Sequence, residues 1–321
     1  MKKIPTTPSE PYQPLHLKYR PQALDDVVGN SITVKSLRAT LARPGRPHAY
    51  LFTGPSGCGK TTLARIVARE LGAEGRDFTE MNSASYRGID SARNLIANSS
   101  RSTWGGKASA YLLDEIHQLT GQAEDALLKL LEEPPPHVYY LLATTEPEQL
   151  KATLKSRCAH FVVQALPRQT IQKRLLSVVT QEQCPDTHPT DKVLSEIARV
   201  CGGSLRQALV ILDQVIDIRD EQEALDALVE AAGDDYQTIE LCRALQKGLQ
   251  WKAVRNLLNN INADPEQTRR AVLAYLNTVM LGDNGEHLIP VAQPFLASVM
   301  YTGKAGLTIA CYNAIKVHTR V

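Results

Sequence analysis

Ala49–Thr53 (AYLFT) is a short run of apolar and β-forming residues that leads into a glycine-rich turn. Thr61–Leu71 follows, with apolar side chains at helical spacing, so the order is strand, loop, helix. Ala110–Leu113 (AYLL) and Val138–Ala143 (VYYLLA) read as two further buried strands, and Phe161–Val163 as a short fourth. Between the second and third, Ala123–Leu131 has helical spacing and stops before Pro134, Pro135 and Pro136, which cannot continue a helix. Strands alternating with helices predict an α/β domain built on a parallel sheet with helices on both faces. Beyond Pro167 the strand pattern ends. Thr170–Thr180, Pro189–Val200 and Ser204–Ile218 read as helices, the last two separated by Gly202 and Gly203, and the pattern stays helical from about Glu221 onward. The expected division is a flexible arm over 1–16, the α/β domain over 17–166, a small helical domain over 167–221 and an all-α domain over 222–321.

A chain of 321 residues suits two or three domains. No apolar run reaches the roughly 18 residues that span a bilayer. The polar, proline-rich start, Met1–Pro14, has no apolar signal-peptide core. The six cysteines are scattered without a C-x-x-C pair, which argues against a disulfide framework or a zinc site and fits a reducing cytoplasm. Net charge is only +2, but residues 1–110 carry 16 Lys/Arg against 8 Asp/Glu. A basic N-terminal region suits phosphate-rich ligands, either nucleotide or nucleic acid.

The turn after the first strand, Gly54-Pro55-Ser56-Gly57-Cys58-Gly59-Lys60-Thr61, fits G-x-x-x-x-G-K-[ST] without a mismatch. Glycines let the backbone N–H groups curl around phosphate, and the following helix N-terminus adds positive field. Lys60 is expected to reach the β- and γ-phosphates of ATP, and the Thr61 hydroxyl to ligate Mg²⁺. Thr62 follows on the same turn. Asp114 and Glu115 come directly after the strand Ala110–Leu113, at the end where open α/β sheets bind ligands. Asp114 is the second expected Mg²⁺ ligand, and Glu115 the residue that polarises the attacking water. Thr144 and Thr145 end the third strand on the same edge, where the Thr145 hydroxyl can meet water or the γ-phosphate. His117, with no hydrolase triad around it, reads as incidental.

With these motifs in this order the chain resembles the AAA+ ATPases, and more closely those of sliding-clamp loaders. Tyr19-Arg20-Pro21 and the following run from Leu24 to Gly29, which includes Val28, resemble the motif that packs on the adenine. Ala126–Pro135 and Leu141–Pro147 are similar to the bacterial tau/gamma subunits. Ser156-Arg157-Cys158 matches the S-R-C motif, whose arginine acts in trans at a neighbouring subunit's γ-phosphate. Gly203-Ser204-Leu205-Arg206 resembles the second sensor, an arginine on the lid helix that contacts nucleotide. The four-cysteine zinc module of bacterial tau/gamma is absent, and Glu80–Asp90 is instead similar to the small subunits of replication factor C. A bacteriophage-encoded loader is one source that suits the mixture. The long C-terminal extension of full-length tau is also absent, so direct polymerase or helicase tethering is not expected.

The resemblance implies an ATP hydrolase that uses ATP and Mg²⁺, with the 167–221 helices as lid and the last hundred residues as an oligomerising collar. It implies three kinds of partner: a sliding clamp, primer–template DNA and other loader subunits, in a pentamer. Arg87 and Arg93 are the expected contacts to DNA phosphates, which would make binding strongly salt-dependent. Two other readings stay open at this point. A branch-migration helicase would carry a winged-helix C-terminal domain, and a structural loader subunit would have a silent ATP site.

Overall fold

A computed structural model of the chain describes residues 12–83, 88, 103–182, 189–282 and 285–318. Two compact units divide it, Met1–Asp217 and Ile218–Val321.

In the first unit, α1 (Leu15–Lys18) and α2 (Ser31–Leu41) precede β1 (Ala49–Thr53) and α3 (Lys60–Glu70). Then come β2 (Phe78–Asn82), β3 (Ser109–Asp114), α4 (Gly121–Glu132), β4 (Val138–Thr144), α5 (Ala152–Lys155) and β5 (Ala159–Val162). The sheet order is β2-β3-β4-β1-β5, and every pair is parallel. The strands predicted at 49, 110, 138 and 161 are present. The last begins two residues earlier than its apolar run, because His160 pairs with Leu51 in register. A fifth strand, β2, was hidden by its position: it lies at the sheet edge, and its Thr79, Glu80 and Asn82 are exposed.

Period-two alternation divides β1 between two cores. Tyr50 and Phe52 join Leu63, Ile66 and Val67 of α3 on one face, whereas Ala49 and Leu51 join Leu127, Leu130 and Leu131 of α4 on the other. Both faces are therefore covered, which is why the central strands read as unbroken apolar runs. At the amino-terminal rim, His48 stacks on Tyr139 with ring centroids 4.9 Å apart, and Arg46 Nε donates to the Tyr139 hydroxyl. The turn leading into this rim holds Gly45, where an added Cβ would meet nothing within 4 Å.

The unit closes with α6 (Arg168–Gln181), α7 (Asp191–Val200) and α8 (Leu205–Val215). The Thr190 and Ser204 side chains cap α7 and α8 by accepting from Val193 N and Gln207 N.

The second unit is helical throughout its described residues: α9 (Glu221–Gln246), α10 (Trp251–Asn260), α11 (Pro265–Met280), α12 (Ile289–Ala292) and α13 (Gly303–His318), with short 3₁₀ turns around α12. Gly233, at φ 51° and ψ −132°, breaks α9 into two segments. Val254, Val272, Leu276, Phe295 and Cys311 centre its apolar core. A polar knot ties α11 to the turn before α13. Glu266 pairs with Arg269 at 2.6 Å, both side chains 9% exposed, and accepts from Ser298 Oγ and Val299 N. These donors, Arg269 foremost, lower the Glu266 carboxyl from 4.5 to about 2. The knot therefore stabilises fully above pH 4.5 and loses its effect as pH falls from there through about 2. Glu266→Gln is expected to lower the melting temperature at neutral pH and to flatten the acid limb of stability. Thermal melts of the full chain between pH 2 and 6 check this, and an unchanged acid limb would count against it.

Candidate active site

Because all five strands run one way, the residues that follow β1, β3 and β4 emerge at a single carboxyl-terminal rim. The loop from Gly54 to Gly59 leaves β1 there and enters α3 at Lys60. Its shape depends on glycine at two places. Gly54 has φ 146°, and a Cβ there would lie 1.9 Å from the Val163 carbonyl oxygen. Gly57 has φ 71°, and its Cβ would lie 2.0 Å from Ser204 Oγ at the start of α8. The loop is thus packed between the end of β5 and the start of α8, with no room for a side chain at Gly54 or Gly57.

Lys60 is 5% exposed, and its Nζ donates to the Gly54 and Pro55 carbonyls, each at 2.9 Å. Burial pushes its amine below the usual lysine range, opposed by Glu115 and Asp114. Thr61 Oγ1 donates to Asp114 Oδ2 at 2.7 Å. Glu115 sits at φ 51°, one of two non-glycine residues with positive φ among the described residues. Such backbone costs about 1–3 kcal/mol and persists where the surroundings enforce it. Here Thr145 holds the side chain: its backbone N–H at 3.2 Å and its hydroxyl at 3.0 Å both donate to Glu115 Oε2.

A cleft opens over these groups. Tyr19, Arg20, Pro21, Val28, Ser56, Gly57, Cys58, Gly59, Lys60, Thr61, Thr62, Asp114, Glu115 and Arg206 all line it. The cleft is basic where Arg20, Lys60 and Arg206 converge. The Arg20 guanidinium is held below its ordinary value by burial first, then by Arg65 and Arg206. Such a cluster is stable beside a polyanion, and the glycine cradle, buried amine and helix N-terminus fit a triphosphate. Magnesium needs no closed protein cage, since it takes one or two protein oxygens together with phosphates and water. Thr61 Oγ1 and Asp114 Oδ2, already side by side at 2.7 Å, fit that requirement.

Three predicted residues lie outside the lining: Gly54, Arg157 and Thr145, the last of which meets it through Glu115. Gly54 is not in the cleft lining and contributes its carbonyl to Lys60. Arg157 is also absent from the lining, with Nη1 donating to Thr153 O at 2.8 Å and Nη2 paired with Glu132. Arg87 and Arg93 fall outside the described residues. Sequence reading missed the apolar lining from Val163, Leu166 and Leu209, whereas Val27 and Leu205 lie inside the Leu24–Gly29 and Gly203–Arg206 motifs. His117, which the sequence reading treats as incidental, is held close to acidic side chains. The ring is 9% exposed and lies between two acids, with Nδ1 3.4 Å from Glu115 Oε2 and Nε2 3.5 Å from Glu146 Oε1.

A family model described as "DNA polymerase III, delta subunit" matches residues 76–167, and one described as "Rad17 P-loop domain" matches residues 9–113. DNA polymerase III subunit tau of Escherichia coli is 36% identical over 257 residues, covering 73% of this chain and 40% of its own length. Subunit tau/gamma of Haemophilus influenzae is 31% identical over 339 residues, covering 93% of this chain and 49% of its own length. The chain resembles the tau and tau/gamma subunits of DNA polymerase III over most of its own length. It spans about half or less of the length of these two relatives. Among solved structures, a point variant of Thermotoga maritima RuvB matches this AAA+ chain with a TM-score of 0.58 at 20% identity, covering 82% of this chain and 92% of its own. Another, described as the RuvB Holliday junction branch migration motor, gives 0.54 at 20%, covering 75% and 85%. At that identity the likeness establishes the AAA+ fold alone. No helix among the described residues is long and apolar enough to cross a membrane.

Proposed function

We propose that this chain is the ATP-hydrolysing motor subunit of a DNA polymerase sliding-clamp loader. The observation that carries the reading is the convergence, at one sheet rim, of buried Lys60, the Thr61–Asp114 pair at 2.7 Å and Glu115 anchored by Thr145. Backbone N–H groups of the Gly54–Gly59 loop, Lys60 and Arg206 bind the triphosphate, while Tyr19, Arg20, Pro21 and Val28 surround the base. Thr61 and Asp114 would hold Mg²⁺, which when bound would supply positive charge to offset the negative charge developing on the triphosphate. Glu115 accepts a hydrogen bond from the attacking water and aligns it, and Thr145 fixes Glu115. Arg157, outside the cleft of its own subunit, serves the γ-phosphate of a neighbour.

In this reading residues 17–166 form the ATPase domain, 167–221 the lid and 222–321 a collar that joins subunits, with 1–16 as an arm. The partners are a sliding clamp, primer–template DNA gripped through Arg87 and Arg93, and other loader subunits in a pentamer in the cytoplasm. ATP binding closes neighbouring subunits and opens the clamp, and hydrolysis releases the clamp on DNA. Steady-state ATP hydrolysis, measured with the partner subunits present, tests this. Primed DNA and a clamp together are expected to stimulate turnover strongly. Turnover indifferent to the clamp but driven by branched duplex would replace the reading with a DNA-remodelling motor.

A further inference from the structure

His117 lies in a short 3₁₀ turn, Ile116–Gln118, immediately after the proposed water-aligning carboxylate. Its Nδ1 is 3.0 Å from the hydroxyl oxygen of Thr144, a residue with no exposed surface, and 3.4 Å from Glu115 Oε2. On the far side of the ring, Nε2 faces Glu146 Oε1 at 3.5 Å. Thr144 is fixed in turn, because its hydroxyl oxygen accepts the Glu146 backbone N–H at 3.0 Å. The imidazole is therefore braced on two sides by the end of β4, thirty residues away in sequence from the acid it faces.

The contacts to Glu115 are one-sided. Thr145 N, Thr145 Oγ1 and His117 Nδ1 all approach Oε2. A carboxylate left to itself rotates about its last torsion, which is broad and roughly two-fold. Three groups gathered on one oxygen remove that freedom and leave Oε1 for the cleft. We infer that His117 is a positioning residue for Glu115: braced by Thr144 and Glu146, it holds Oε2 so that Oε1 meets the attacking water. The inference rests on the proposed role of Glu115. It gives Glu146, which the sequence motifs do not single out, a part in the same device.

The test measures kcat, ATP affinity and melting temperature in the clamp- and DNA-stimulated assembly. His117→Ala is expected to lower kcat about 10- to 100-fold, the scale of a misplaced reacting group, with ATP affinity within about twofold of wild type. His117→Asn places an amide nitrogen near the position of Nδ1 and is expected to restore most of kcat. His117→Gln reaches instead toward Glu146 and is expected to restore little. In the double variant with Thr145→Val the losses are expected to be less than multiplicative, because both groups act on one oxygen. A merely structural histidine would lower melting temperature in all three variants and would not separate Asn from Gln. Wild-type turnover that His117→Ala leaves unchanged, or equal losses in Asn and Gln, would overturn the inference alone. Absence of turnover in the wild-type assembly would overturn the functional reading and the inference together.

Discussion

Glu115→Gln is expected to bind ATP as tightly as the wild type and to lose about 10²–10⁴-fold in turnover, the range that a positioned proton acceptor supplies. The geometry explains why so small a change does so much. Thr145 presents two donors to Glu115 Oε2, so a glutamine at 115 would turn its carbonyl oxygen toward them. Its amide nitrogen would then occupy the other position, giving the attacking water a donor where it needs an acceptor. The phosphate-binding groups, Lys60 and the Gly54–Gly59 loop, are untouched by the exchange. Equilibrium ATP binding followed by single-turnover phosphate release separates the two effects. A variant that releases phosphate at nearly the wild-type rate would remove Glu115 from the chemistry.

Arg157→Ala is expected to leave ATP affinity of the isolated chain intact and to reduce turnover in the assembled loader by about 10³–10⁵-fold, the range of an arginine delivered to a transferring phosphoryl group. The guanidinium rests against Thr153 O and Glu132, with the Arg157 and Glu132 side chains 33% and 49% exposed. An ion pair so open to solvent contributes about 0–1 kcal/mol, so little opposes its transfer to a triphosphate on an adjoining subunit. Mixing Arg157→Ala subunits with Lys60→Ala subunits, which lack the phosphate-binding amine, distinguishes the direction of action. Turnover equal to wild type in an all-Arg157→Ala assembly would exclude the trans role.

Much of this site was legible in the order of residues because its parts lie on consecutive sequence. The Gly54–Thr61 loop, the Asp114–Glu115 pair and Thr145 each follow a strand buried on both faces, and such strands announce themselves as AYLFT, AYLL and VYYLLA. Strand β2 did not, because an edge position lets FTEMN expose its polar residues. The packing of Gly57 on Ser204 was also invisible, since a steric demand across nearly 150 residues leaves no local trace. The contacts of His117 were not legible either. Its meaning depends on Glu146, which lies far along the chain and reaches the ring only because β4 runs parallel beside β3. A histidine two residues past an Asp-Glu pair looks ordinary until the neighbouring strand end is known.

The common direction of the five strands has a practical side. The residues that follow β1, β3 and β4 leave the sheet at one rim, while His48, Tyr139 and Arg46 tie together the opposite rim, away from the proposed triphosphate site. The exposed turn at Gly45 opens onto that rim with space for a side chain. A cysteine-linked dye placed there would ride on the sheet without entering the cleft, giving single-molecule measurements a fixed vantage point on the proposed ATP cycle.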